Sequence, residues 1–507
     1  LGKSDKPLYV PNVTSIRKSM LFGKIAEIKT APARLSPFWK DGELIDPMEM
    51  GLRKYVHSPV AFDKDTVEAC VSHMWSTLWN NSPIKRKGRV FTFREAVEGI
   101  AGQKFVDGVT RSTSAGWPYV LEPKPGFPGK TRFFGKEGPY DFDNPEARAL
   151  EGRVMSILED AARGVRQLHV CTVFKKDERR LLAKVEAGKT RLIFGQGSDL
   201  LIACRMMLMD FCVWMMENRV HTESCVGINP YSDEWERLAK ALLELGGDMF
   251  AGDYECFDGK AQPFVMWCLL ILINNFYGND PIGNLQRTVL WMEICNSRHL
   301  VGIHIIEWIL GLPSGTFVTT IINVLRNMFY FRLAFVLVMG CLAALASFND
   351  HVVPKVYGDD NVAAISRQIR DVFNAITMSQ ALKKCNMVYT DESKGQAMVP
   401  YKTIQEVTFL KRGFRYEPLL DRHVAPLDLD VVLELPCWTK KGLDWIQITK
   451  DNVDTSLIEL SLHGEEVFNR WAPIILEASK KELKHVPIFA TWSGCIMRAS
   501  KLEDAWW

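Results

Sequence analysis

Asp359 and Asp360 are neighbours in VYGDDNVAAI, between two short β-prone runs. Two ionised carboxylates side by side repel each other, and burial penalises both. They must lie in a solvated turn, share a proton or hold a cation. Gly followed by Asp suits a hairpin turn, since Asp tolerates the positive φ that such turns need. This stretch alone leaves the alternatives open.

A second acidic stretch, GDYECFDGKAQPF, supplies Asp253 and Asp258 near the end of a strand-like run. On a continuous strand these two would face opposite sides, so a turn or helix start must intervene if both serve one site. Asp253 could join Asp359 and Asp360. Three such carboxylates are costly without hard divalent cations, and Mg²⁺ takes oxygen ligands of this kind. Two ions ~3.5–4 Å apart suit in-line phosphoryl transfer, one at the attacking oxygen and one at the leaving oxygen. An exposed strand-end carboxylate is the plainer alternative for Asp253.

Polar chemistry recurs in GLPSGTFVTTIINVLRN, where Ser314 and Gly315 give a flexible entry to a helix. Thr319 and Asn323 fall four apart on one helical face. An N-capped core helix with one buried Asn would read the same way. The basic stretch KKDERRLLAKVEAGKTR (Lys175 to Arg191) spaces its cations closely around an expected loop tip at Glu186–Gly188. Such an arm can neutralise a triphosphate, or be a solvated charge run.

The elements that must carry these residues mix strands and helices without regular βαβ alternation, which favours an α+β fold. Strand-like Asp248–Gly259 leads into helical FVMWCLLILINNFYG, and a turn and long helix follow from Gly311. The Val356–Ile365 hairpin comes next, then helical Ile369–Cys385 and a strand-like VTFLKRGFRY (Val407–Tyr416). Helical periodicity also marks Glu146–Gly164 and Asp199–Val220, and after Pro418 the tail is helical and amphipathic. The first ~110 residues mix Pro, Gly and short apolar runs, which predicts irregular structure and short helices. The stretch Thr113–Lys136, dense in Gly and Pro, is expected to be mostly loop.

With 507 residues and a formal net charge of +2, the chain can hold several subdomains, and nucleic-acid binding would have to come from local clusters of Lys and Arg. The twelve cysteines show no C-x-x-C pair or zinc spacing, so reduced thiols in a cytosolic setting are expected. The N-terminal stretch has no apolar signal core. Without Met at position 1, Leu1 is expected to be an end made by processing or by cloning. The apolar run Leu333–Phe348 is too short for a spanning helix and predicts a buried core helix.

In this order the stretches resemble the RNA-dependent RNA polymerases of picorna-like positive-strand RNA viruses. The family's D-x4-D motif A matches Asp253 to Asp258, and its motif B, SG-x3-T-x3-N, matches Ser314, Gly315, Thr319 and Asn323. Motif C is Tyr357-Gly358-Asp359-Asp360, and basic motif F is matched by KDERRLLAKVEAGKTRLI. FLKRGFR (Phe409–Arg415) matches motif E, and TSAGWPY (Thr113–Tyr119) is similar to motif G. The resemblance covers roughly Thr113 to Arg415 and carries no motif in the first ~110 residues or the tail.

The resemblance implies a closed right hand whose antiparallel palm sheet is flanked by helices and encircled by fingers. The expected division is fingers at 1–247 (with part of the palm near 195–220), palm at 248–266, a fingers insertion at 267–308, palm at 309–416 and thumb at 417–507. It implies that Asp253, Asp359 and Asp360 with the Tyr254 carbonyl hold two Mg²⁺ ions, with Mn²⁺ able to substitute. Asp258, Ser314, Gly315, Thr319 and Asn323 would surround the incoming ribose. Lys176, Arg180, Lys184 and Arg191 would meet triphosphate and template. Lys411 and Arg412 would hold the primer end, and Thr113, Ser114 and Gly116 would line the template path. Lys394 matches the motif D lysine, a general acid for pyrophosphate departure.

Implied partners are RNA template and primer, ribonucleoside triphosphates, a small protein primer and other viral replication proteins. The implied setting is membrane-associated replication complexes in host cytoplasm, without a span of the chain's own. A reverse transcriptase, a Mg²⁺-dependent nuclease and a non-catalytic RNA-binding protein on the same fold are the rival readings. Asp258 with Asn323 favours a site that reads a 2′-hydroxyl.

Overall fold

The computed structural model describes residues 1–393, 397–442 and 444–502. Its centre is an antiparallel sheet of four strands in the order Val352–Tyr357, Asp360–Ile365, Asp248–Tyr254, Tyr389–Asp391. Alternation along the strands sends side chains to two cores. Phe250, Ala363 and Ile365 pack with Phe331 and Phe335 of the long helix Thr319–Met339. Met249, Ala251, Val362 and Ala364 pack on the other face with Trp235, Leu238 and Leu242 of the helix Glu234–Leu243. Both faces are covered, so the strands can be apolar throughout while their ends stay open for chemistry.

A second sheet of five strands runs in the order Gly2–Lys3, His304–Glu307, Arg298–Val301, Cys171–Lys175, Leu192–Gly195. The segment following the helices Pro263–Phe276 and Pro281–Cys295 thus returns to the body built by the first part of the chain. The N-terminal region ties distant parts together. Ile16–Lys18 pairs with Trp438–Lys440, and Thr30–Pro32 pairs with Arg179–Leu181 of the basic arm. The first of these pairings, with Leu21 and Ile25 in one core with Leu457 and Ile475, joins the N-terminal region to the C-terminal helices Trp445–Ser461 and Glu465–Leu483.

Several expectations need correction. The apolar run Leu333–Phe348 is not one helix: the helix ends at Met339 because Gly340 adopts φ 74° as a left-handed cap, and a 3₁₀ turn covers Leu342–Ser347. Among the described residues this Thr319–Met339 helix is long and apolar enough to cross a membrane, and 89% of its apolar window is buried inside the protein. The first ~110 residues hold an 18-residue helix, Lys64–Asn81, capped by Asp63. Val407–Tyr416 is not a continuous strand: Leu410 and Lys411 take φ of 56° and 59° and turn the chain, Arg412 makes isolated bridges to Phe409 and Leu427, and a ladder begins only at Arg415. The expected helix Ile369–Cys385 is confined to Ala375–Lys383, opened by an Asn374 capping box. All twelve cysteines are free, and most are buried.

Candidate active site

Tyr357 pairs with Asp360, which leaves Gly358 and Asp359 as a two-residue hairpin turn, with Gly358 at φ 62°. On the other side of that strand Asn361 pairs with Gly252. One residue further along this register, Asp360 stands across from Asp253. Opposed residues of an antiparallel pair share a face. The acidic turn and the end of the motif A strand therefore meet at one edge of the sheet.

The turn is fixed from beneath by amides that the sequence comparison did not single out. Asn327 Nδ2 donates to the carbonyls of Gly358 and Asp359 at 3.1 Å and of Asp360 at 3.2 Å. Its Oδ1 accepts from the Tyr254 hydroxyl at 3.1 Å. Asn361 Nδ2 donates to the carbonyls of Gly252 and Asp359 at 3.2 Å, while its Oδ1 accepts from Tyr389 at 2.7 Å. The two acidic segments are thus linked by buried side-chain bonds as well as by the sheet. Asn327 was findable: it lies four residues after Asn323, on the same helical face.

The strand ends at Tyr254, and Cys256 (φ 53°) turns the chain into a short 3₁₀ turn at Asp258–Lys260. This is the intervening turn that the five-residue spacing required. Asp258 is carried over to the long helix, where its Oδ1 accepts from Asn323 Nδ2 at 2.6 Å and its Oδ2 accepts from the Ser314 hydroxyl. Fully buried Arg326 donates to Asn323 Oδ1 at 2.8 Å and to the Phe257 carbonyl at 2.7 Å. Burial pushes the Asp258 carboxyl up to about 6, against Asn323 and Arg326, and the charge of Asp359 adds to the rise.

Gly315 (φ 120°) makes the close approach that places Ser314. A Cβ there would sit 2.8 Å from the Phe194 carbonyl oxygen, and Phe194 N donates to the Ser314 carbonyl at 2.8 Å. Thr319 departs from the expectation. Its hydroxyl bonds Thr316 Oγ1 at 2.9 Å and the Pro313 carbonyl at 3.2 Å, so it braces the loop that carries Ser314.

The basic arm forms a strand at Arg179–Leu181 and a short helix at Leu182–Glu186, and the chain then turns at Ala187–Gly188, with Gly188 at φ 65°, where the loop tip was expected. Its cations gather on one carboxylate. Arg191 bonds Glu178 with two nitrogens, Lys176 lies 3.3 Å and Arg180 3.5 Å from it. Burial would raise the Glu178 carboxyl, but Arg191, Lys176 and Arg180 together hold it below its ordinary value. Glu178 holds Arg191 more basic, and the fields of Asp359 and Asp258 add to this, so the arm lies within electrostatic reach of the acidic edge. Lys184 sits half-buried on the short helix.

Arg412 also departs from the expectation. Its guanidinium is buried against Glu459 at 2.7 and 2.9 Å and donates to the Ala425 carbonyl at 2.7 Å. A side chain held this way braces the motif E turn against the C-terminal helix. Lys411 is exposed on the turn beside it. Lys130 Nζ donates to Thr113 Oγ1 at 2.6 Å and to the Ser114 carbonyl at 2.7 Å, and Gly116 (φ 69°) completes that loop. Lys394 lies outside the described residues.

Among the described residues no three His, Cys, Asp or Glu side chains stand together as a ready-made metal cage. The donors at the acidic edge are oxygens from Asp253, Asp359 and Asp360. This donor set fits a hard cation that keeps water and phosphate oxygens in its coordination shell.

Fold and site together define a right-hand nucleotide polymerase, and the chain belongs to the viral RNA-dependent RNA polymerase family, whose model matches residues 25–478. It is 33% identical over 504 residues to the replicase polyprotein of acute bee paralysis virus, covering 97% of this chain and 26% of that protein. It is 32% identical over 523 residues to the replicase polyprotein of cricket paralysis virus, covering 99% of this chain and 30% of that protein. The chain thus spans between a quarter and a third of the length of these relatives. The Sicinivirus 3Dpol RNA-dependent RNA polymerase superposes with a TM-score of 0.80 at 21% identity, covering 98% of both chains, and shares the fold.

Proposed function

We propose that this chain extends an RNA primer along an RNA template from ribonucleoside triphosphates, as the polymerase of a positive-strand RNA virus. The observation that carries the reading is the register that continues from Gly252–Asn361 to set Asp253 across from Asp360, with Asp258, Ser314 and Asn323 bonded beside it. Asp253, Asp359, Asp360 and the Tyr254 carbonyl would hold two Mg²⁺ ions, or Mn²⁺ in their place. When bound, these ions supply activation of the primer 3′-hydroxyl and neutralisation of charge on the departing pyrophosphate.

The chain's own residues supply positioning and electrostatics. Asn327 and Asn361 hold the acidic turn at a fixed height under the reacting groups. Asp258 and Asn323 accept and donate to the ribose 2′-hydroxyl, which a deoxyribose lacks. Lys176, Arg180, Lys184 and Arg191 neutralise the triphosphate, with Glu178 keeping the cations together until it arrives. Lys411 faces the primer backbone, and Thr113, Ser114 and Gly116 line the template path. Lys394 is the candidate donor of a proton to pyrophosphate.

The hand divides as the motif order suggests: fingers at 1–247 and 267–308, palm at 248–266 and 309–416, thumb at 417–507. A small protein primer, other replication proteins and a membrane-associated complex in host cytoplasm are the partners and setting that the family membership supports. Extension of a labelled primer on a defined RNA template, with ribo- and deoxyribonucleotides in parallel, tests the reading. Templated extension with ribonucleotides supports it. Preference for deoxyribonucleotides, or primer shortening alone, would replace it with a reverse transcriptase or a nuclease.

A further inference from the structure

Lys355 is a buried cation that the chemistry of the acidic edge does not use. It lies on the outer strand of the central sheet, Val352–Tyr357, which ends in the acidic turn. The residue is 4% exposed, yet among the described residues no carboxylate forms an ion pair with it. Its Nζ donates instead to the carbonyls of Val220 at 2.6 Å and Thr222 at 2.7 Å. An ammonium carries three protons, so the third has no partner among the described residues. Neutral carbonyls offset the desolvation of a charge only in part. Burial accordingly lowers the basicity of Lys355, against the weaker opposing fields of Cys225, Glu223 and Glu244.

Val220, Thr222 and Lys355 line one open cleft of about 480 Å³. It lies between the outer strand, the helix Glu234–Leu243 and the end of the helix Lys64–Asn81, and its volume is that of a small-molecule site. Exposed Arg237 and Lys240 stand on its rim. Each makes only a loose ion pair one turn away on its own helix, with Asp233 at 3.3 Å and Glu236 at 3.4 Å, of the kind that water screens. Of the two carboxylates that line the cleft, Glu223 is held by Arg332 at 2.6 and 2.9 Å, and Glu244 is exposed. Cations therefore outnumber uncommitted carboxylates. Asn81 and Asn349, also exposed, add amides that can bond a sugar or a base. Val220 takes φ 67°, a strained conformation for a β-branched residue, at the point where its carbonyl meets Lys355.

We propose that this cleft is a further anion site that takes a phosphate monoester of nucleotide size, with Lys355 bonding the phosphoryl group and Arg237 and Lys240 closing over it. The phosphoryl oxygens accept the third Lys355 proton and supply the counter-charge that the fold leaves out. The site is distinct from the basic arm, whose cations gather on Glu178. Its ligand binds to the strand that carries the Gly358–Asp359 turn.

Isothermal titration calorimetry of the full chain with adenosine 5′-monophosphate (AMP) in Mg²⁺-free buffer tests the site, with adenosine and inorganic phosphate as comparison ligands. One saturable site for AMP is expected, and both comparison ligands should bind about tenfold or more weakly. Arg237→Ala combined with Lys240→Ala removes two exposed cations and should weaken AMP binding by about tenfold or more. Lys355→Met should do the same, and the rim variant carries the test if that protein does not fold. Lys176→Ala with Arg191→Ala, in the basic arm, should leave the affinity unchanged. Loss of binding in the arm variant alone puts AMP at the triphosphate site and overturns the proposal. Adenosine binding as tightly as AMP overturns it too, because the phosphoryl group is then not the anchor. Inorganic phosphate binding as tightly as AMP makes the site one for the free ion and overturns the nucleotide-sized ligand. The absence of saturable binding, or an affinity untouched by Lys355→Met in a folded protein, also overturns it.

Discussion

Asn323 donates its side-chain amide to Asp258 at 2.6 Å, joining the N-terminal part of the helix Thr319–Met339 to the turn that follows the central strand. This bond defines one wall of the site, and Arg326 holds the amide from behind through Asn323 Oδ1. An amide fixed at both ends cannot flip freely, so its donor stays toward the carboxylate. Replacing Asn323 with Ala should lower discrimination against 2′-deoxynucleotides by about ten- to a hundredfold, since a site built to bond a hydroxyl rejects its absence strongly. Parallel kinetics with both sugars check this. An unchanged ratio would remove Asn323 from ribose recognition.

The Asp258 carboxyl titrates near 6 in the folded chain, above its ordinary 3.8. The folded state therefore binds this proton more tightly than the unfolded chain. Its contribution to stability is fully present below the unfolded value and is lost as pH rises through about 6. Over the same window the carboxyl becomes an acceptor for both Ser314 and Asn323. Sugar discrimination should thus rise between about pH 5 and 7, and Asp258→Asn should flatten both trends. Nucleotide kinetics and thermal melts across that range, in buffers of constant ionic strength, are the measurements.

Asn327 bonds three successive carbonyls of the acidic turn and accepts from Tyr254. Asn327→Ala leaves these buried groups without their partner, at a cost of about 1–3 kcal/mol in stability. The turn should loosen as well, so catalytic turnover should fall more than nucleotide affinity. Denaturant unfolding and pre-steady-state kinetics separate the two effects.

Arg412 and Glu459 form a buried pair, with side chains 12% and 4% exposed. Removing one partner strands the other charge, so Arg412→Ala should destabilise by about 3–5 kcal/mol. Replacing both, as Arg412→Met with Glu459→Leu, should recover part of that loss. Primer affinity per folded molecule should stay near normal in the double variant. A specific loss of primer binding would instead return Arg412 to the primer grip.

What could be read in the sequence was chemistry that is local in the chain. The Gly358–Asp359 turn, the break between Asp253 and Asp258, and the helical face bearing Asn323 all follow from short-range spacing. Partners fixed by long-range packing were not legible. Arg412 looked like any motif E cation until the C-terminal helix supplied Glu459, 47 residues on. Thr319 has the right helical phase, yet the tight loop forced by Gly315 offers it the Pro313 carbonyl first. The cations of the basic arm are spaced for an anion, but the sequence could not say that Glu178 would occupy their centre. Gly340 hides inside an apolar run and ends a helix that hydropathy alone would continue.

The proposed two-metal chemistry requires Asp253, Asp359 and Asp360 to act together at the acidic edge of the sheet. Primer extension by the intact chain and by Asp359→Ala, on one RNA template with Mg²⁺ and ribonucleotides, tests it most directly. The intact chain should extend the primer, and the variant should melt at a similar temperature while losing about a thousandfold or more in rate. A folded Asp359→Ala protein that extends the primer at the rate of the intact chain would contradict the account.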